Sequence, residues 1–210
     1  MNRRRPRKAF NGIRSGHNDH ASSHRGRGQL RLIGGEFRRR KLAIPESPGL
    51  RPTPDRVRET LFNWLAFDVA GKQTLDLYAG TGALGLEALS RGATQAIFIE
   101  SSAIVADALE ANIELLGANG RVHRSDVQQF LVGRPAEFDL VFLDPPFRLG
   151  LAAQTCGRLE ADGWLAARAM IYVETEHELD WQPPDLWQLH REIVAGDSHG
   201  RLFRRTPTAD

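Results

Sequence analysis

Residues 75 to 89, LDLYAGTGALGLEAL, leave the chain few folds to choose from. Leu75 and Leu77, with Tyr78, suit a strand buried inside a parallel sheet, and Ala83 to Leu89 are good helix formers. Between them Gly80 and Gly82 let the backbone turn tightly beneath a ligand. A strand, a glycine turn and a helix in this order predict a cofactor cradle at the carboxyl edge of an open α/β sheet. Gly80, Gly82 and Gly85 satisfy G-x-G-x-x-G, and Glu100 follows at the ~20-residue spacing of an acid that binds a ribose hydroxyl. The pattern by itself would suit a dinucleotide.

Asp76 argues against that ligand. It stands inside the strand, ahead of Gly80, where its carboxylate faces the region that must receive a doubly anionic pyrophosphate on the helix N-terminus. S-adenosylmethionine removes the conflict, because it carries no phosphate and its methionine ammonium and sulfonium are cationic. The acid then attracts the ligand instead of repelling it. Asp76, Tyr78, Gly80 and Gly82 are therefore candidate cofactor-binding residues.

From Thr74 onward apolar strands alternate with helical segments, which predicts a mostly parallel sheet covered on both faces. Strands are expected at 96–100, 121–125, 138–143 and 169–174, a helix at 102–116, and a closing hairpin from 187–195 and 201–205. Asp76, Glu100, Asp126 and Asp144 each fall in or at the carboxyl end of a successive strand, the edge where such sheets bind ligands. Glu100 can accept both ribose hydroxyls. Asp126 can accept a hydrogen from an adenine amine or cap the helix after it, and the two roles are compatible.

Asp144-Pro145-Pro146-Phe147 closes the strand expected at 138–143. Its parts answer the problem of methylating an exocyclic amine, whose lone pair is delocalised into its ring. The Asp144 carboxylate and the Pro145 carbonyl can each accept one amine hydrogen, and Pro145 and Pro146 fix φ so that the carbonyl direction is preset. Phe147 offers a face on which a flipped-out base can stack, worth ~1 to 3 kcal/mol. Such a loop serves any planar amine, so adenine-N6 and glutamine-amide methylation stand beside guanine-N2 methylation. No metal or covalent enzyme intermediate is required.

The N-terminal part of the chain is a different material. Residues 1 to 40 hold twelve Lys or Arg against two acids, a net +10 that leaves −8 for residues 41 to 210 within a total of +2. A basic arm on an acidic body points to an anionic polymer as partner. Residues 1–28 have little to bury and are expected to be a disordered tail, in which His17, His20 and His24 lack the pattern of a metal site. Leu30, Leu32 and Ile33, then Gly34-Gly35, then 37–44 read as a hairpin with a two-glycine turn. Residues 29–52 are thus expected to form an RNA-binding hairpin and linker, with Arg31, Arg38, Arg39, Arg40, Lys41 and Arg51 as its contacts. The catalytic domain would occupy 53–210. Thr53 is the expected cap of its first helix, with Pro54 in the first turn, and Val57, Leu61, Trp64 and Leu65 on one face. Arg56, Arg58, Glu59 and Asn63 read either as surface charge or as ligand contacts. Cys156 alone gives no intramolecular disulfide, and with no apolar span or export signal visible the expected compartment is the cytoplasm.

LDLYAGTGALGLEALSRGA and FLDPPF, with LRLIGGEFRRRKL, LRPTPDRVRETLFNWL, GWLA and LHREIVAG, resemble the bacterial small-subunit (16S) ribosomal RNA guanine-N2 methyltransferase D family over about residues 29 to 205. The resemblance implies a Rossmann-like class I methyltransferase fold with a mostly parallel seven-stranded sheet and an N-terminal β-hairpin. It implies S-adenosylmethionine as cofactor, and as partner 16S rRNA in the small ribosomal subunit or its assembly intermediate. By position, Asp144 to Phe147 match the catalytic loop and Asp76, Gly80, Gly82, Glu100 and Asp126 the cofactor edge; Arg51, Thr53 and Arg56 match a segment before the first helix. A monomer without membrane or metal is expected. The competing class is a non-catalytic RNA-binding assembly factor that retains the cradle.

Overall fold

The computed structural model describes residues 28–48, 50 and 53–206. The tail expected at its N-terminus, apart from Gly28, and Arg51 lie outside these residues. The elements run β1 (Gln29–Arg31), β2 (Lys41–Ala43), α1 (Asp55–Trp64), β3 (Gln73–Leu77), α2 (Ala83–Ser90), β4 (Gln95–Glu100), α3 (Ala103–Leu116), β5 (Gly120–Arg124), α4 (Val127–Phe130), β6 (Phe138–Leu143), α5 (Leu151–Ala161), β7 (Leu165–Glu176), β8 (Trp187–Ala195) and β9 (Ser198–Arg205).

Strands β3 to β9 form one seven-stranded sheet in the order β5-β4-β3-β6-β7-β9-β8. The first five neighbours are parallel, β9 is antiparallel to β7, and β8 is antiparallel to β9. The chain steps from β3 to β4 and β5 on one side, then crosses to β6 and β7 on the other. The order therefore reverses beside β3, and a crevice opens there at the carboxyl ends.

Alternation along the strands divides the core in two. Leu75, Leu77, Ile99, Val141, Leu143 and Val173 face α5 and Trp164. Phe98, Leu140, Phe142 and Tyr172 face the other way, where α1, α2 and the hairpin residues Leu30, Leu32, Leu42 and Ile44 cover them. Every residue of α2 is buried, because the sheet lies on one side of it and the N-terminal hairpin on the other.

Four sequence expectations change. The hairpin does not turn on Gly34-Gly35: β1 and β2 are three residues each, and residues 32–40 form a long loop between them. Gly34 and Gly35 instead let that loop press onto α2, where a Cβ on Gly35 would stand 1.7 Å from the Ser90 carbonyl oxygen. Thr53 does not cap α1; the helix starts after Pro54, and the Thr53 carbonyl accepts from Arg58 Nε at 3.2 Å. Arg58 is not surface decoration but a buried cation held by Asp55 at 2.6 Å and facing Glu87 at 3.8 Å. Finally, β7 and β9 begin earlier than expected, because Leu165 pairs with Phe138 ahead of a register shift and Ser198 pairs with Ala195 directly at the turn.

Candidate active site

The turn after β3 is built from residues that tolerate left-handed backbone. Tyr78, Gly80 and Gly82 have φ of 59°, 52° and 73°. For Tyr78 that conformation costs about 1–2 kcal/mol, and its hydroxyl is fixed to Thr155 Oγ1 at 3.0 Å. Ala79 N–H donates to the Ile99 carbonyl at 2.9 Å and Gly80 N–H to Glu100 Oε2 at 2.9 Å, which ties the turn to the end of β4. At Gly82 a Cβ would run into the core, 2.4 Å from Leu109 Cδ1. Gly85 is held just as closely, 2.3 Å from Phe98 Cε1 by the same measure.

Above this turn lies a cavity of about 1120 Å³. That exceeds the ~300–1,000 Å³ usual for one small-molecule site, leaving room for a nucleoside-sized cofactor and a base together. Its wall gathers Asp76, Tyr78, Gly80, Glu100, Asp126 and the whole of Asp144 to Phe147. Six carboxylates line it, from Asp76, Glu100, Asp126, Asp144, Glu174 and Asp197, and among the described lining residues there is no Lys, Arg or His. A phosphate-bearing ligand would meet repulsion from the ionised acids of this wall, whereas an ammonium and a sulfonium would meet attraction and would favour ionisation of the rest.

Each acid has its own setting. Asp76 is buried and its Oδ2 accepts Gly85 N–H at 2.9 Å; burial pushes its pKa up to about 8, with the nearby Glu100 charge adding to the rise. A cationic group placed there would reverse that shift. Glu100 spans two loops, its Oε1 accepting Ser102 N–H at 2.7 Å while Oε2 holds Gly80. Asp126 caps α4, with Oδ1 accepting from Gln128 N–H at 2.8 Å. Asp144 sits just past β6 between two other acids; burial raises its pKa well above the carboxylate range, and the Glu174 and Asp76 charges raise it further. Pro145 is buried, Pro146 is exposed, and Phe147 is 36 % exposed in the cavity wall.

The basic residues of the hairpin do not join this cavity. Arg31, Arg38, Arg39, Arg40 and Lys41 are exposed, Arg31 pairing with Asp55 at 3.0 Å and Arg40 reaching the Leu115 carbonyl at 3.4 Å. The loop that carries Arg38, Arg39 and Arg40 binds the Ser90 end of α2, while the cavity adjoins the Ala83 end, so about 12 Å of helix separates them; Arg31 lies nearer, since its partner Asp55 follows Pro54 of the cavity wall. The linker residues Ser47, Pro48 and Leu50 reach the cavity wall. Glu174 and Asp197 were not singled out from the sequence. Glu174 had a signal, as one more acid closing one more strand; Asp197 lies in a hairpin turn and had none. Among the described residues no group of three or more His, Cys, Asp or Glu is placed to hold a metal, and no helix is long and apolar enough to cross a membrane.

Comparison with known proteins adds an independent observation. Residues 30–204 match the family model described as conserved hypothetical protein 95. The chain is 52% identical over 185 residues to "Ribosomal RNA small subunit methyltransferase D" of Escherichia coli strain K12, covering 87% of this chain and 93% of that one. It is 51% identical to the solved structure of yhhF from Escherichia coli, with a TM-score of 0.80 over 86% of this chain and 100% of that one. An RNA methyltransferase from Salinibacter ruber in complex with S-adenosyl-L-homocysteine, 14% identical, shares the fold at a TM-score of 0.59 over 76% of this chain and 96% of that one. The α/β architecture is thus the class I methyltransferase fold, with an antiparallel hairpin at its N-terminus.

Proposed function

Because the chain belongs to the ribosomal RNA small subunit methyltransferase D family, we propose that it methylates the exocyclic N2 amine of a guanine in 16S rRNA, using S-adenosylmethionine. The observation that carries this reading is the cavity itself: six carboxylates without a basic side chain among the described lining residues, and the Asp144–Phe147 loop on its rim. S-adenosylmethionine supplies, when bound, a methyl carbon on a sulfonium that a poor nucleophile can displace.

The residues divide the work. Asp76 takes the methionine ammonium, Glu100 the ribose hydroxyls, and the free face of Asp126 the adenine amine, while Gly80 keeps the backbone low beneath them. Phe147 stacks the extruded base, and the Asp144 carboxylate and Pro145 carbonyl each accept one amine hydrogen, turning the nitrogen lone pair toward the methyl group. As positive charge moves onto the nitrogen, the Asp144 carboxylate stabilises it in a wall that water reaches poorly. Hairpin residues Arg31, Arg38, Arg39, Arg40 and Lys41 hold the phosphate backbone, and Arg51, outside the described residues, is a further candidate contact. The protein works as a monomer in the cytoplasm on the small subunit or its assembly intermediate.

The test is transfer of a labelled methyl group from S-adenosylmethionine to small subunits lacking the modification. Asp144→Ala should lower the transfer rate at least ~100-fold while leaving subunit binding within ~2-fold. An unmodified protein that binds subunits and transfers nothing would favour the assembly-factor reading instead.

A further inference from the structure

Glu174 is buried in the cavity wall at 5 % exposure, and no step above uses it. A carboxylate at that depth is expensive unless it is well partnered. Both of its oxygens are engaged by neutral donors: Tyr172 Oη donates to Oε2 at 3.0 Å, and Ser198 Oγ donates to Oε1. The seat is built around this contact. Tyr172 faces Leu202 and Glu174 faces Gly200 across the β7–β9 ladder, and a Cβ on Gly200 would stand 2.2 Å from the Tyr172 hydroxyl. Glycine is what leaves that hydroxyl space to reach the carboxylate.

The β6–β7 register pairs Leu143 with Val173, so the next positions on the two strands are Asp144 and Glu174, side by side on one face of the sheet. The groups around the pair are few. Asp76 approaches from β3, Tyr172 from β7, and Asp197 and Ser198 from the β8–β9 turn; among the described residues the linker and α1 side contributes Ser47, Thr53 and Pro54, none of them charged. Arg201, the nearest cation on β9, is turned away onto Thr175 Oγ1 and the Trp181 ring.

We propose that Glu174 is a positioning residue that makes Asp144 the proton acceptor of the reaction. The inference rests on the amine-methylation reading above. When the amine lone pair bonds to the methyl carbon, the carbon–sulfur electron pair leaves with sulfur, and the nitrogen carries one positive charge and one surplus hydrogen. The electrons of that N–H bond return to nitrogen and its proton passes to an Asp144 carboxylate oxygen, then to water at the exposed rim by Phe147. No other reactant is consumed. Two adjacent carboxylates share a proton more readily than they both ionise, so Glu174, pinned by Tyr172 and Ser198, strengthens Asp144 as a base. The raised proton affinity of Asp144 agrees with this arrangement.

The experiment is a carboxyl-carbon NMR titration of Asp144 in the protein alone, for wild type and Glu174→Gln, paired with the pH dependence of single-turnover methyl transfer. The Asp144 midpoint should fall by about one pH unit or more in the variant, and the acid limb of the rate profile should move by the same amount with a lower plateau. An unmoved midpoint, or a moved midpoint with an unmoved limb, overturns the proposal while the methyltransferase reading stands. A wild type that titrates as expected but transfers no methyl group overturns both. If Glu174→Gln does not fold, wild type decides: coupled carboxyls each titrate in two steps, whereas single independent steps overturn the proposal.

Discussion

Asp76 carries an acid's ordinary chemistry in an unusual place, and its consequence is a pH dependence. Its pKa is pushed to about 8 in the folded protein, against about 3.9 in an unfolded chain. The folded state therefore binds an extra proton between those values. Its contribution to stability is complete below about pH 4 and is lost as pH rises through about 8. In the proposed complex cofactor binding runs the opposite way, because an ammonium seated on Asp76 needs the carboxylate ionised and displaces its proton. Affinity for S-adenosylmethionine should rise roughly tenfold per pH unit on approaching pH 8 and then level, with proton release visible as a buffer-dependent binding enthalpy. Asp76→Asn should flatten that dependence and weaken binding at pH 8. Equal affinity at pH 6 and pH 8 in the wild type would show that Asp76 does not meet the ammonium.

The N-terminal hairpin is the element whose structure depends most on a single buried side chain. Glu87 is fully buried in α2; its carboxylate accepts Ile33 and Gly34 N–H at 2.8 Å each and Arg91 Nε at 2.8 Å, with Arg58 behind it. Removing one member of such a buried set costs about 3–5 kcal/mol, since the others remain buried and unpaired. Glu87→Ala should lose that much in urea unfolding, and a loss under ~1 kcal/mol would show the hairpin to be anchored elsewhere. This anchor marks the limit of what the sequence disclosed. The β3 turn and the acids closing β3, β4 and β6 were legible, because a parallel strand must be apolar and a carboxylate at its end breaks the pattern. Arg58 and Glu87 were not, because charges on helical segments look like surface until a partner from a distant segment is brought against them. Gly34-Gly35 misled for a related reason: glycine serves a tight turn and a close approach equally well, and only tertiary packing decides which. The helix α5 buries Ala152, Thr155, Cys156 and Leu159, a face too small and polar to stand out in the sequence, and it forms where the crossover from β6 to β7 must cover Val141, Leu143 and Val173.

Across the whole molecule charge and chemistry are kept apart. The acidic cavity lies at the carboxyl edge of the sheet, and the basic loop lies beyond the far end of α2, so an RNA held by the loop must reach around the hairpin to place one base at Phe147. Replacing Arg38, Arg39 and Arg40 with Ala should weaken RNA binding and lower the slope of log affinity against log salt by about 2–3, leaving cofactor affinity within ~2-fold. An unchanged slope would remove the hairpin from the RNA interface. The most direct test of the account concerns the atom that is methylated: small subunits from cells lacking this protein are incubated with it and labelled S-adenosylmethionine, and the RNA is digested to nucleosides and analysed by mass. Guanine-N2 methylation puts the label in N2-methylguanosine from 16S rRNA; label in N6-methyladenosine, or in no nucleoside, rules it out.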